Sequence, residues 1–129
     1  MTRFTNEEYE NLLARKVRSA AMPVPLEADI QRAILEYLNL HPRVAWAVRM
    51  NTGAMKIDGR FVKFGFTGCS DVLGQMTDGR FLAVEVKRPG NKPTEDQHSF
   101  LRNVQHYGGV GFWCDSVKSC EEKLHEQLG

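Results

Sequence analysis

The sequence lacks long hydrophobic runs, paired cysteines and an excess of charge of either sign. No apolar run approaches the roughly 20 residues that a membrane-spanning helix needs, and the first eight residues hold no signal-peptide core. Its three cysteines show no Cys-x-x-Cys spacing, which favours neither a disulfide framework nor a zinc knuckle. These absences argue against a membrane protein or a cysteine-stapled secreted scaffold, and they predict a reducing, cytoplasmic setting.

Length and composition are those of an ordinary globular chain. It has 129 residues, of which 42% are hydrophobic and 26% are charged. This length is enough for one hydrophobic core, and no internal repeat or low-complexity linker divides the chain. We therefore expect a single domain spanning residues 1–129.

The net charge of +1 hides an uneven distribution of charge. Residues 41–92 carry nine Lys and Arg against four Asp and Glu, whereas residues 1–40 carry five against six and residues 93–129 three against six. A basic central segment is expected of a region that meets phosphate groups. A solvated basic face would give the same pattern.

Hydrophobic periodicity and turn residues predict a mixed α/β domain. Thr94 is the expected N-cap of a helix, and Asp58-Gly59 is the signal of a hairpin or of an excursion of the chain. Trp46 and Trp113 fall in strands and are expected in the core. Helices are predicted over about residues 6–20, 26–40, 94–106 and 116–128, and strands over 44–50, 55–64 (a hairpin or an excursion), 71–76, 81–87 and 110–114, with 71–76 and 81–87 antiparallel.

The chemistry of the chain is concentrated in two carboxylates and an amine. Asp71 follows a glycine turn, and Glu85 and Lys87 lie inside an apolar strand, where charge is costly unless it is paired or binds a metal. Side chains two residues apart leave a strand on the same face. Asp71 and Glu85, with the main-chain carbonyl of Val86, could therefore bind a divalent cation while Lys87 orients a water molecule. The alternative is a salt-bridge cluster on a half-exposed strand.

From about Leu26 to Val117 the chain resembles the VRR-NUC branch of the PD-(D/E)XK nuclease superfamily. The resemblance implies a restriction-endonuclease-like fold, in which helices flank a mixed central sheet, and it leaves an extra N-terminal helix within residues 1–22. It is carried by Glu27-Ala28-Asp29-Ile30-Gln31, Asn51-Thr52-Gly53, Phe64-Gly65-Phe66-Thr67-Gly68-Cys69-Ser70-Asp71, Phe81-Leu82-Ala83-Val84-Glu85-Val86-Lys87, Thr94-Glu95-Asp96-Gln97 and Gly108-Gly109-Val110.

The resemblance also implies roles for particular residues. The D…ExK motif of the family falls on Asp71, Glu85 and Lys87, a helical glutamate that joins the acidic site falls on Glu27, and a glutamine that opens the next helix falls on Gln97. Read from the residues alone, Glu27 could instead be favoured by the dipole of its helix, and Gln97 could serve only to stabilise a helix N-terminus.

These patterns and the resemblance together predict a Mg²⁺- or Mn²⁺-dependent DNA endonuclease whose expected substrate is branched or junction DNA, while single-site nicking or cleavage of linear duplex is the activity left open. We expect a homodimer, with two active sites for two strands. The resemblance implies the cytoplasm of a bacterial or phage-infected cell. The alternative is a non-catalytic nucleic-acid-binding module whose acidic cluster is structural. The expected DNA contacts are Arg49, Asn51, Lys56, Lys63, Arg88 and Lys92.

Overall fold

The computed structural model describes residues 5–19, 24–50, 53–64 and 66–129, and it forms a mixed α/β domain. It contains no helix, within these ranges, that combines the length and apolar character needed to cross a membrane. The helices are α1 (Asn6–Ser19), α2 (Glu27–Leu40), α3 (Glu95–His106) and α4 (Val117–Leu128), and the strands are β1 (Val44–Arg49), β2 (Gly53–Ile57), β3 (Arg60–Phe64), β4 (Val72–Met76), β5 (Phe81–Val86) and β6 (Val110–Cys114).

Local sequence signals account for most of these boundaries. Leu26 is the N-cap of α2, and His41 is its C-cap, just before Pro42. Thr94 caps α3 in a capping box with Gln97, which confirms the predicted start of that helix. Each predicted helix and strand is present to within one or two residues at its described ends.

Four strands form one sheet, in the order β1-β4-β5-β6. β1 pairs with β4 and β4 with β5 in antiparallel fashion, while β5 and β6 are parallel. α3 therefore serves as the crossover between β5 and β6. β2 and β3 form a separate antiparallel hairpin that turns at Asp58 and Gly59, both with positive φ, as the Asp-Gly signal predicts.

The two faces of the sheet are covered to different extents. α1, α2 and α4 pack over one face and form the main core, whose buried side chains include Ile30, Ile34, Leu38, Val84 and Phe112. α3 packs against β5 and β6 on the opposite face, where Ala83, Leu101 and Val104 are buried. The part of that face formed by β1 and β4 thus has less helical cover.

This uneven cover explains why one expectation from the sequence is wrong. Trp46 lies on β1, an edge strand beyond the reach of α3, and 45% of its surface is exposed. Trp113, on β6, is partly buried against α3. The outer edge of β1 is itself closed at Ala47, because the Asn39 side chain donates to the Ala47 carbonyl and accepts from its N–H.

A candidate active site at the ends of two central strands

The register between β4 and β5 brings the two carboxylates of the predicted site together. Val72 pairs with Val84, so Asp71, one residue before β4, stands opposite Glu85. One oxygen of the Asp71 carboxylate, Oδ2, accepts a hydrogen bond from the Val86 N–H at 2.9 Å. The Asp71 carboxylate therefore accepts the hydrogen bond that a main-chain carbonyl would accept if the pairing of β4 and β5 continued.

Glu85 is almost completely buried, and its two oxygens differ in their partners. Only 2% of the residue is exposed. Gln97 Nε2 donates to Glu85 Oε1 at 3.2 Å, and Lys87 Nζ lies 3.7 Å from the same oxygen. Oε2 is buried and has no hydrogen-bond partner among the described residues. Lys87 thus shares the face of Glu85, as its spacing predicts, and one carboxylate oxygen is left for another partner.

The Glu85 carboxyl group resists ionisation in this environment. Burial raises its pKa to about 9, and the neighbouring Asp71 carboxylate acts in the same direction because of its proximity and its charge. The Lys87 ammonium opposes this shift without cancelling it, and the Glu27 carboxylate adds to it. Without a bound cation, Glu85 is therefore protonated at neutral pH.

Gln97 serves two elements at once. Its side-chain Oε1 accepts from the Thr94 N–H at 2.8 Å, which completes the capping box of α3. Its Nε2 donates to Glu85. Gln97 therefore both stabilises the N-terminus of α3 and contacts the candidate site. Its amide fixes the Glu85 carboxylate relative to the first turn of α3.

The loop before Asp71 is seated on the same helix turn. Gly68 has a φ of +84°, and a Cβ atom there would lie 2.5 Å from the Asp96 carbonyl oxygen, so that only glycine fits without movement. The Phe66 ring packs edge-on against Phe100 of α3 at a centroid distance of 5.1 Å. These contacts position Asp71 from one side while Gln97 positions Glu85 from the other.

Cys69 lies next to this site but has the properties of a packed thiol. It is buried, and burial raises its pKa, so that little reactive thiolate is present at neutral pH. The sequence offers it no base partner, and the structure gives no reason to assign it a nucleophilic role.

Glu27 is the first residue of α2 and is exposed. The negative charge of Glu27 raises the pKa of Glu85, so Glu27 belongs to the electrostatic surroundings of the site. It also occupies the first turn of a helix, where the dipole favours a carboxylate. Both interpretations of Glu27 are therefore compatible with its position.

The basic residues expected at DNA lie in several places. Arg49 is exposed and lines a small groove of about 140 Å³ with Gln31 and Leu35 on α2. Arg88 and Lys92 lie in the loop that follows β5, directly after the site. Lys56 and Lys63 are on β2 and β3, where only the backbone is described, and Asn51 lies outside the described residues.

The donor set fits a hard divalent cation that keeps part of its water shell. No three His, Cys, Asp or Glu side chains of the described residues form a cluster that could hold a metal ion. Mg²⁺, however, is usually held by only one or two carboxylates together with water and substrate oxygens. Asp71, Glu85 and its unbonded Oε2 meet that requirement, and the Val86 carbonyl is a further candidate.

Comparisons with known proteins identify no relative of this chain. No family model, no curated protein and no solved structure matches it. The residues of the site are therefore the basis on which a function can be assigned.

The sequence did not reveal two features that shape this site. The contact between Gly68 and the Asp96 carbonyl joins positions 28 residues apart, and no local signal marks it. The capping box Thr94-x-x-Gln97 is visible in the sequence, but its second bond to Glu85 depends on how α3 crosses the sheet.

Proposed function

We propose that the protein is a Mg²⁺- or Mn²⁺-dependent DNA endonuclease of the VRR-NUC type, with a restriction-endonuclease-like arrangement of its sheet and helices. The observation that carries this proposal is that Glu85 is buried beside Asp71. The nearby Lys87 ammonium does not cancel the resulting rise in the pKa of Glu85. A purely structural ion pair would favour the ionised carboxylate, whereas a metal-binding pair needs a cation to complete it.

Each residue of the site has a distinct task in phosphodiester hydrolysis. Asp71 and Glu85 would hold the cation, with the Val86 carbonyl and Glu27 as further candidate ligands. A bound Mg²⁺ supplies Lewis acidity toward the phosphate and lowers the pKa of bound water. Lys87, whose side chain is 16% exposed beside Glu85, orients the attacking water and stabilises the negative charge that develops on the phosphate. Gln97 keeps Glu85 in place.

The proposed substrate is branched or junction DNA, cut by a homodimer in the cytoplasm of a bacterial or phage-infected cell. Two sites related by a twofold axis can act on two strands that meet at a branch. The contacts to the DNA backbone are Arg49, Asn51, Lys56, Lys63, Arg88 and Lys92. A monomer that cuts plain duplex as fast as a junction would contradict this part of the proposal.

The first test is cleavage of a four-way junction, a flap and a plain duplex with Mg²⁺, Mn²⁺ or a chelator. We expect Lys87→Ala to lower the metal-dependent rate by about 10²-fold or more, because it removes a charge that acts on the transition state. Lys118→Ala, on the exposed first turn of α4, is the matched control and keeps the wild-type rate. Equal melting temperatures of both variants would show that the lost rate is not lost folding.

The competing function is a nucleic-acid-binding module with a structural acidic cluster, and the lack of a three-residue metal cluster in the described chain favours it. In that case Mg²⁺ leaves the melting temperature of the wild type unchanged. DNA binding also continues without cleavage of any substrate. The nuclease proposal instead requires that Mg²⁺ raise the melting temperature, and that Asp71→Asn remove this effect.

A further inference from the structure

The carboxylates lie at one end of the sheet face that α3 covers only over β5 and β6, and the other end of this face is aromatic. On this face β1, β4 and β5 align their side chains in cross-strand rows. Asp71 and Glu85 form one row, and the row four residues away contains Trp46, Gln75 and Phe81. At about 3.3 Å per residue, the two rows are roughly 13 Å apart.

The aromatic row is exposed but ordered. Trp46 is 45% and Phe81 44% exposed, although both rings are large and apolar. The Trp46 indole Nε1 donates to Gln75 Oε1 at 3.1 Å, which fixes the orientation of the ring. A held ring can stack with another flat group without first losing conformational freedom.

A groove continues from Phe81 along the end of α3. Its volume is about 540 Å³, within the range of sites that hold small organic groups. Phe81, Phe100 and Tyr107 supply aromatic surface to this groove, and Tyr107 is 79% exposed. Asn103 and Arg80 supply polar groups at its wall. Flat aromatic surface beside hydrogen-bonding groups is suited to a nucleobase.

We propose that this aromatic end, defined by Trp46, Phe81 and Tyr107, binds unpaired bases of the strand whose phosphate meets Asp71 and Glu85. The inference rests on the proposed nuclease function and refines its substrate to DNA with a single-stranded segment beside the cleaved bond. The distance of roughly 13 Å corresponds to about two to four nucleotides. A fully paired branch cannot offer bases to the rings.

Charge and edge structure favour a nucleic-acid strand over a second copy of the chain. Between the two rows lie Val48 and Leu73, with Ala83 buried under α3, so that among the described residues of these strands no carboxylate separates the aromatic end from the site. Arg43 and Arg80 flank a single Asp78 at the aromatic end, which leaves that end with positive charge. Asn39 closes the edge of β1 at Ala47, which opposes continuation of the sheet into another copy.

The test is binding of a labelled single-stranded oligonucleotide in chelator, followed by fluorescence anisotropy, since this readout requires no cleavage. We expect Trp46→Ala and Tyr107→Ala each to weaken binding about 5- to 100-fold, and Trp46→Phe and Tyr107→Phe to retain most of it. Leu12→Ala is the control, because it removes a half-exposed apolar side chain from α1, outside the aromatic end, and leaves binding unchanged.

A second measurement locates the bases along the strand. In the Mg²⁺ reaction, a single abasic position is moved along the single-stranded arm of a flap. The inference is supported if cleavage is slower only when the abasic position lies about two to four nucleotides from the cut. Cleavage rates that do not depend on this position overturn it. Wild-type affinity of both Trp46→Ala and Tyr107→Ala for the oligonucleotide overturns it as well, even if the wild type cuts DNA. Conversely, aromatic-dependent binding without any cleavage upholds base binding and refutes the nuclease.

The remaining outcome to distinguish is that the aromatic end binds a second copy of the chain. If the wild type sediments as a dimer that Trp46→Ala and Tyr107→Ala dissociate, the aromatic end is an interface between two copies and the inference is overturned. A sedimentation coefficient that neither variant changes is the result that base binding requires.

Discussion

At the scale of single residues, the ionisation of Glu85 is coupled to folding. Its pKa lies at about 9 in the folded protein, against an ordinary value of 4.5. The folded state therefore binds more protons than the unfolded state between these two values, and the free energy of unfolding falls as the pH rises through this window. A cation at the site would compete with the proton.

We accordingly expect the melting temperature of the metal-free protein to decrease as the pH rises from about 5 to about 9. Glu85→Gln keeps the size of the side chain and cannot ionise, so it should flatten this dependence and raise the melting temperature at pH 8. Glu122→Gln, at an exposed position on α4, is the control and should retain the wild-type slope. Parallel curves for wild type and Glu85→Gln would contradict the assignment.

The two bonds of Gln97 can be separated by substitution. Gln97→Ala removes both, and the loss of the capping box should lower the free energy of unfolding by roughly 1 kcal/mol. Gln97→Glu retains an acceptor for the Thr94 N–H but places a carboxylate against Glu85. Urea unfolding should therefore show a milder loss of capping for Gln97→Glu, while its cleavage rate falls at least as far as that of Gln97→Ala. Wild-type cleavage by both variants would show that the amide serves the helix alone.

At the scale of elements, the site depends on the seating of the 66–70 loop against α3. Gly68→Ala combines an unfavourable φ of +84° with a Cβ placed 2.5 Å from the Asp96 carbonyl oxygen. Gly90→Ala is the matched control, because Gly90 has a φ of +96° and no atom within 4 Å of its added Cβ. We expect Gly68→Ala to cost roughly 1–3 kcal/mol in chemical denaturation and clearly more than Gly90→Ala. Equal losses would mean that the contact contributes nothing beyond backbone strain.

Elements were predictable from the sequence to the extent that local patterns define them. The hairpin at Asp58-Gly59 and the capping box at Thr94 follow from residues within a few positions of one another. The pairing of Asp71 with Glu85 also follows, because a short turn between two apolar runs fixes an antiparallel register. The exposure of Trp46 does not follow from local patterns, which predict a core position. It depends on which strands α3 covers, and that is a property of the tertiary structure.

At the scale of the whole molecule, charge is segregated along the chain. The 41–92 segment has five more basic than acidic residues, whereas the 93–129 segment, which includes α4, has three more acidic than basic ones. In the 41–92 segment, Arg49 ends β1 and pairs with Val72, one residue from Asp71, and Arg88 and Lys92 lie in the loop that follows β5. A polyanion would therefore be attracted to the end of the molecule that holds the candidate site and repelled from α4.

This segregation predicts a salt-dependent affinity for DNA. Each phosphate neutralised on a single strand contributes about −0.7 to the slope of log K against log salt concentration, so five contacts at Arg49, Lys56, Lys63, Arg88 and Lys92 give at most about −3.5. Replacing Arg88 or Lys92 by glutamine should reduce the slope by roughly 0.7 each, while Lys118→Gln on α4 should leave it unchanged. Anisotropy titrations at several salt concentrations measure these slopes. A slope near zero, or an equal response to Lys118→Gln, would mean that the basic segment does not contact the phosphates.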